Sequence, residues 1–175
     1  MNLCDRDTIR ALLERHGFRF SKSMGQNFLI DPQIPADIAA ASGADENCGV
    51  LEIGPGIGPL TAELARRAGK VVSVELDRTL LPVLAETMAS FSNVEILQGD
   101  ALRLDLAALA AEKFQGLTPI VCANLPYNIT SSILQKLAET PCFQSVTVLI
   151  QKEVAQRLSA PQGSPEGGAF SLFLQ

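Results

Sequence analysis

Four stretches of this 175-residue chain place polar side chains and pliable backbone where a nucleotide-like ligand can be held. The first is Gly54-Pro55-Gly56-Ile57-Gly58, directly after the apolar run Val50-Leu51-Glu52-Ile53. Glycine lets the backbone turn tightly and approach a ligand closely. The second is Glu75, about 20 residues after the first glycine, where an acid can accept hydrogen bonds from ribose hydroxyls. The third is Asp100, in Gln98-Gly99-Asp100-Ala101, a carboxylate able to accept from an adenine amino group. The fourth is Asn124-Leu125-Pro126-Tyr127. The Asn124 amide oxygen is a ready acceptor. Pro126 biases Leu125 toward extended dihedrals and so helps to fix its carbonyl. Tyr127, the only tyrosine, can stack on a base. Each feature has a plainer explanation: a structural turn, a solvated acid, a capped buried turn. Their weight comes from following successive strands.

Those strands are legible in the periodicity. Apolar runs at 50–53, 70–76, 94–97, 119–123 and 146–150 read as buried strands. Between them, 61–68, 79–90, 105–113 and 129–138 read as helices, with another at 152–158. Strands alternating with helices imply βαβ units, a mostly parallel sheet and right-handed crossovers, with helices on both faces. The fold class is therefore α/β and Rossmann-like. All four candidate stretches then fall at the carboxyl edge of the sheet, where open α/β sheets bind ligands. Upstream, 3–16 reads as an amphipathic helix stopped by Gly17 and 33–42 as a second helix stopped by Gly43. A polar connection, 18–31, joins them. We expect an N-terminal helical extension over 1–46 and a ligand-binding catalytic domain over 47–175. Residues 160–168 read as a flexible loop, and 169–175 as the start of a further buried strand. The chain is thus expected to stop before its sheet is complete.

Composition narrows the classes. Apolar residues make up 47% of the chain and charged residues 19%, the balance of a folded domain rather than a disordered one. No apolar run approaches the ~20 residues needed to span a bilayer. Met1 to Arg6 lacks a secretory signal, so no membrane role and a cytoplasmic location are expected. Cys4, Cys48, Cys122 and Cys142 form no Cys-x-x-Cys pair, and His16 is the only histidine, so no metal site is expected. The net charge of −5 runs against phosphate binding. Positive charge is nevertheless local to Arg6, Arg10, Arg15, Arg19 and Lys22, unless these are only a solvated helix face.

The glycine spacing excludes two common nucleotide folds. Gly54-x-Gly56-x-Gly58 is not the Gly-x-Gly-x-x-Gly of dinucleotide oxidoreductases, and no Gly-Lys-Ser/Thr of a P-loop follows. With Glu52 two residues upstream, the segment resembles the first motif of class I S-adenosylmethionine-dependent methyltransferases. Asn124-Leu125-Pro126-Tyr127 resembles the Asn/Asp-Pro-Pro-Tyr motif of amino methyltransferases. Together with Gly25-Gln26-Asn27-Phe28-Leu29-Ile30-Asp31, Asn124-to-Thr130 and Gln151-to-Leu158, these segments resemble the KsgA/RsmA family of 16S rRNA adenine dimethyltransferases.

That resemblance implies a class I methyltransferase fold and S-adenosyl-L-methionine as cofactor. It implies N6-dimethylation of two adjacent adenosines in small-subunit rRNA, and hence a role in ribosome biogenesis. The implied partner is 16S rRNA in the small ribosomal subunit, and a monomer is expected. The implied cofactor residues are Asn27, Leu29, Gly54, Gly56, Glu75, Asp100 and Asn124. The implied catalytic residues are Asn124, Leu125, Pro126 and Tyr127, with the Asn124 side chain and the Leu125 carbonyl accepting from the adenine amino group. Such a transfer is an in-line displacement that depends on alignment and needs no strong base. Lys152 and Arg157 can reach RNA phosphate or merely line a surface helix. Two rivals stand beside this reading: an Erm-type 23S rRNA adenine methyltransferase, and a ribosome-assembly factor that keeps the fold but only binds. A DNA or protein-glutamine amino methyltransferase is a more distant third.

Overall fold

A computed structural model describes residues 1–18 and 29–160. The expected loop at 160–168 beyond Ala160, the expected strand from 169 and the candidate Asn27 lie outside the described residues. The core is one five-stranded parallel sheet in the order β3-β2-β1-β4-β5. Its strands are β1 (Cys48–Ile53), β2 (Lys70–Glu75), β3 (Val94–Gln98), β4 (Thr118–Asn124) and β5 (Val146–Leu149). Seven helices accompany them among the described residues: α1 (Arg6–Arg15), α2 (Gln33–Ala41), α3 (Pro59–Ala65), α4 (Leu81–Thr87), α5 (Leu106–Lys113), α6 (Thr130–Ala138) and α7 (Lys152–Ser159). A single 3₁₀ turn, Arg78–Leu80, leads into α4.

The two faces of the sheet follow from strand alternation. Leu51, Ile53, Val72, Val74, Val121 and Ala123 point to one side, against Leu106, Ala110 and Phe114 of α5 and Ile133 and Leu137 of α6. Val50, Val71, Ile120 and Cys122 point to the other, against Ile38 and Ala39 of α2 and Leu60, Leu64 and Ala65 of α3. A third cluster packs α1, through Ile9, Leu12 and Leu13, onto Ile57, Ala62, Val83 and Leu84. Each buried Val, Leu, Ile or Phe among these contributes roughly 1.5–3 kcal/mol. Both N-terminal helices therefore share apolar cores with the sheet and the helices around it.

The helix ends differ from the periodicity for identifiable reasons. α1 begins at Arg6 rather than near Leu3 because the Asp5 side chain caps it, accepting from the Thr8 amide at 2.8 Å. α5 begins one residue later than expected because Asp105 is its cap, accepting from the Ala108 amide at 2.9 Å. α3 covers Pro59–Ala65, not 61–68. Pro59 fits a first helical turn, and the Asn93 side chain takes the Ala65 and Ala68 carbonyls, each at 2.9 Å, closing the far end. The helix expected over 79–90 is split into the 3₁₀ turn and α4, with Asp77 accepting from the Thr79 amide at 2.9 Å. Strand β1 gains Cys48 and Gly49, which pair with Thr118 and Pro119 of β4.

Candidate active site

The strand order reverses direction between β1 and β4: β2 and β3 lie on one side of that seam, β5 on the other. A crevice opens outside the carboxyl ends of strands at such a point. Here the two loops that leave the seam are in direct contact. Gly54, at φ +70, lies beside the Pro126 ring: a Cβ there would stand 3.5 Å from its Cδ and Cγ, an ordinary van der Waals contact. The glycine is favoured here by the left-handed turn, not by a lack of room.

The cleft so formed has a volume of about 550 Å³. Its lining includes Leu29, Gly54, Gly56, Glu75, Asn124, Leu125, Pro126 and Tyr127. The fold thus gathers eight of the ten positions singled out from sequence. Asp100 stands at the end of the neighbouring strand but is not part of this lining. Its Oδ1 accepts from the Leu102 amide at 2.9 Å, and Oδ2 lies 3.6 Å from Arg103 Nε, so the carboxylate organises its own turn. Asn27 lies outside the described residues.

Carboxylates dominate the β1–β2 side. Glu75 Oε2 accepts from the Gly56 amide at 3.3 Å and Oε1 from the Asp77 amide at 2.8 Å. Burial pushes its carboxyl up, these amides pull it back, and the charge of Asp77 adds to the rise. Beneath the glycine turn, a hollow of about 40 Å³ is lined by Glu52 together with Gly54, Gly56, Leu29 and Asn124. Glu52 is only 1% exposed. Its Oε2 accepts from Thr61 Oγ1 at 2.7 Å and Ser73 Oγ at 2.6 Å. Burial, with a smaller contribution from the nearby charge of Glu75, lifts its carboxyl to about 7 even though both hydroxyls lower it. On the same face, Cys122 is pushed up to about 12, first by burial and then by the charge of Glu52, which makes it an inert thiol.

Sequence reasoning singles out Glu52 but gives it no partners. Ser73 lies directly opposite it in the β1–β2 register. One acid inside an apolar strand and one serine inside the run Val71-Val72-Ser73-Val74 were the available signal: buried polar groups need each other. Leu80, Asp77, Asn128, Leu149 and Phe18 also line the cleft and were not anticipated.

The β4 side is held in place by backbone hydrogen bonds. Asn124 ends β4 beside Leu149 of β5, and Leu125 is fully buried, with its amide bonded to the Leu149 carbonyl at 3.2 Å. The Pro126 carbonyl is taken by the Ile129 amide at 3.2 Å and by Thr130 Oγ1 at 3.0 Å, which ties the tetrapeptide to the start of α6. Among the described residues, none donates to the Asn124 side chain or to the Leu125 carbonyl. Tyr127 lines the cleft and is 59% exposed.

The family described as ribosomal RNA adenine dimethylase matches residues 17–175. The chain belongs to that family. Among curated relatives, ribosomal RNA small subunit methyltransferase A of Shouchella clausii (strain KSM-K16) is 52% identical over 94% of this chain and 56% of its own length. The protein of the same name from Alkaliphilus oremlandii (strain OhILAs) is 45% identical over 95% of this chain and 58% of its own. The chain therefore spans a little over half the length of these relatives. Among solved structures, a dimethyladenosine transferase from Plasmodium falciparum superposes with a TM-score of 0.67 at 28% identity, covering 81% of this chain and 49% of that one. The 23S rRNA methyltransferase ErmE gives 0.62 at 32% identity, covering 73% and 49%. The α/β, Rossmann-like class and the family resemblance are thus both borne out. No helix among the described residues is long and apolar enough to cross a membrane.

Proposed function

We propose that this chain carries the methyl-transfer site of an S-adenosylmethionine-dependent adenine N6,N6-dimethyltransferase acting on small-subunit rRNA. The observation that carries this reading is the meeting, in one cleft, of the Glu75 carboxylate with the Asn124-to-Tyr127 acceptors and aromatic face.

The charge of the cleft supports the cofactor. Glu52, Glu75 and Asp77 surround the glycine turn, and the Gly56 amide is directed to Glu75. A pyrophosphate would meet repulsion there. A ligand carrying an ammonium and a sulfonium would not. In this reading Glu75 accepts from the ribose hydroxyls, Leu29, Gly54 and Gly56 lie against the donor, and Glu52 provides negative charge below its cationic end. When bound, S-adenosylmethionine supplies the methyl group.

The chain's own residues then hold the acceptor. An adenine N6 lone pair is delocalised into the ring and is a poor nucleophile. Asn124 Oδ1 and the Leu125 carbonyl accept its two hydrogens and favour a more tetrahedral nitrogen. Pro126 fixes that carbonyl by restricting Leu125. Tyr127 stacks on the base after it leaves its helix. Alignment provides most of the acceleration, and no general base is required, because the product nitrogen can release its proton to water.

The choice of small-subunit rRNA rests on the two curated relatives; the likeness to ErmE is the specific observation favouring the rival. The full-length protein, given labelled donor and separated unmethylated subunits, should label small-subunit rRNA as dimethyladenosine. Label confined to large-subunit rRNA would support the Erm-type reading instead. No transfer, with no cofactor binding, would support a binding factor.

A further inference from the structure

Phe18 lines the cleft although it belongs to neither the glycine turn nor the tetrapeptide. Its position is fixed by two independent devices. The first is the end of α1. Gly17 adopts φ +79 and donates to the Glu14 carbonyl at 3.0 Å, while the Phe18 amide donates to the Leu13 carbonyl at 2.9 Å. This paired arrangement is a Schellman turn, which sets the direction of the residue after the glycine. The second is a latch between α1 and α4. Glu86 accepts from His16 Nε2 at 2.7 Å and pairs with Arg15, so that its carboxyl is held below the ordinary range, chiefly by the His16 bond. The latch fastens the last residues of α1 to the helix that follows the 3₁₀ turn carrying Leu80. Phe18 and Leu80 both pack against the cluster shared by α1, α3 and α4, and both line the cleft with Asp77 and Glu75. An aromatic side chain just past the end of the N-terminal helix thus forms part of the wall of the cleft that also holds the acid assigned to ribose.

We propose that Phe18 is a cofactor-contacting residue, an apolar wall for the nucleoside end of the methyl donor, positioned by the glycine turn of α1 and by the Glu86 latch. This rests on the cofactor reading above. The cleft would then be closed on its β2 side by the N-terminal helix, and affinity for the donor would depend on where α1 ends. Glu86 acts as a positioning residue only, through His16 and Arg15.

The chain contains no tryptophan, so Phe18→Trp introduces a single fluorescent reporter. Its emission should shift on adding S-adenosylhomocysteine, and equally on adding 5′-methylthioadenosine, which carries the nucleoside end without the amino acid. By calorimetry, Phe18→Ala should weaken both ligands by about tenfold, as expected when tens of Å² of aromatic surface lose their contact. Phe18→Leu should recover part of that loss. Glu86→Ala should weaken both by about threefold, with Glu86→Gln closer to wild type because it keeps an acceptor. Circular dichroism confirms that each variant is folded. If wild type binds S-adenosylhomocysteine but Phe18→Ala binds it equally well, or the tryptophan emission does not move at saturation, the inference fails while the cofactor reading stands. If wild type binds neither ligand, both fail.

Discussion

Replacing Glu52 with glutamine should make the protein more stable and worse at binding its donor. The carboxyl is 1% exposed and sits at about 7 instead of its ordinary 4.5. Between those two pH values the folded chain keeps a proton that the unfolded chain has released. Stability therefore falls as pH rises through that window, and the full cost is present above it. The difference corresponds to ~3 kcal/mol. Glutamine has nearly the same shape and can turn its oxygen toward Thr61 and Ser73, yet it never ionises. Thermal unfolding of wild type and Glu52→Gln at pH 5, 6, 7 and 8 should give curves that lie closest at pH 5 and diverge toward pH 8. A domain of this size gains ~2–4 °C for each kcal/mol, so the variant should melt roughly 6–12 °C higher at pH 8. Donor binding should move the other way. If only the ionised form of Glu52 binds the cationic donor well, wild-type affinity should rise about tenfold from pH 6 to pH 8, as the ionised fraction grows from about a tenth to about nine-tenths. The variant should bind weakly and show no such rise. Parallel melting curves at every pH would refute the assignment of a strained, buried carboxyl beneath the glycine turn.

Other substitutions test other parts of the account. Asn124→Ala should lower the methyl-transfer rate about 10²–10³-fold, as loss of one preorganised hydrogen-bonding group does, with a far smaller effect on donor affinity by calorimetry. Tyr127→Phe should be nearly silent in transfer assays, whereas Tyr127→Ala should lose roughly 1–3 kcal/mol of transition-state stabilisation through lost stacking. Gly58→Ala places a side chain at φ +96, with its Cβ 2.7 Å from Met88 Cε; melting should show a loss of about 1–2 kcal/mol, with Met88 free to yield and limit the damage. Leu12→Ala, in the fully buried face of α1, should cost about 2–5 kcal/mol in chemical denaturation and loosen the helix end that carries Phe18.

Strands were legible because each is a short, mostly apolar run, buried on both faces in β1 and β2 and half-buried at the edges in β3 and β5, and punctuated by glycine, proline or polar turns. The same alternation of strands and helices, taken from the amino-acid order alone, places Gly54, Glu75 and Asn124 at one edge of the sheet. It places Asp100 at the correct edge too, but spacing along the chain does not specify whether a carboxylate points into a cleft or caps its own turn. Helix ends were less legible, because Asn93 closes α3 from 25 residues or more away and Asp77 converts a helix start into a 3₁₀ turn. The Glu52–Ser73–Thr61 cluster needed the register of two parallel strands, which periodicity does not encode. The Glu86 latch joins residues about 70 positions apart, and nothing local to either segment announces the other.

The central claim is that the cleft at the β1–β4 seam holds S-adenosylmethionine through the acid that ends β2. Calorimetric titration of the chain with S-adenosylmethionine tests it most directly, with Glu75→Ala measured beside wild type. The account predicts one ligand per chain and at least a tenfold loss of affinity in the variant, as expected when hydrogen bonds to a charged group are removed. No binding to the wild type, or equal binding by a folded Glu75→Ala variant, would contradict it.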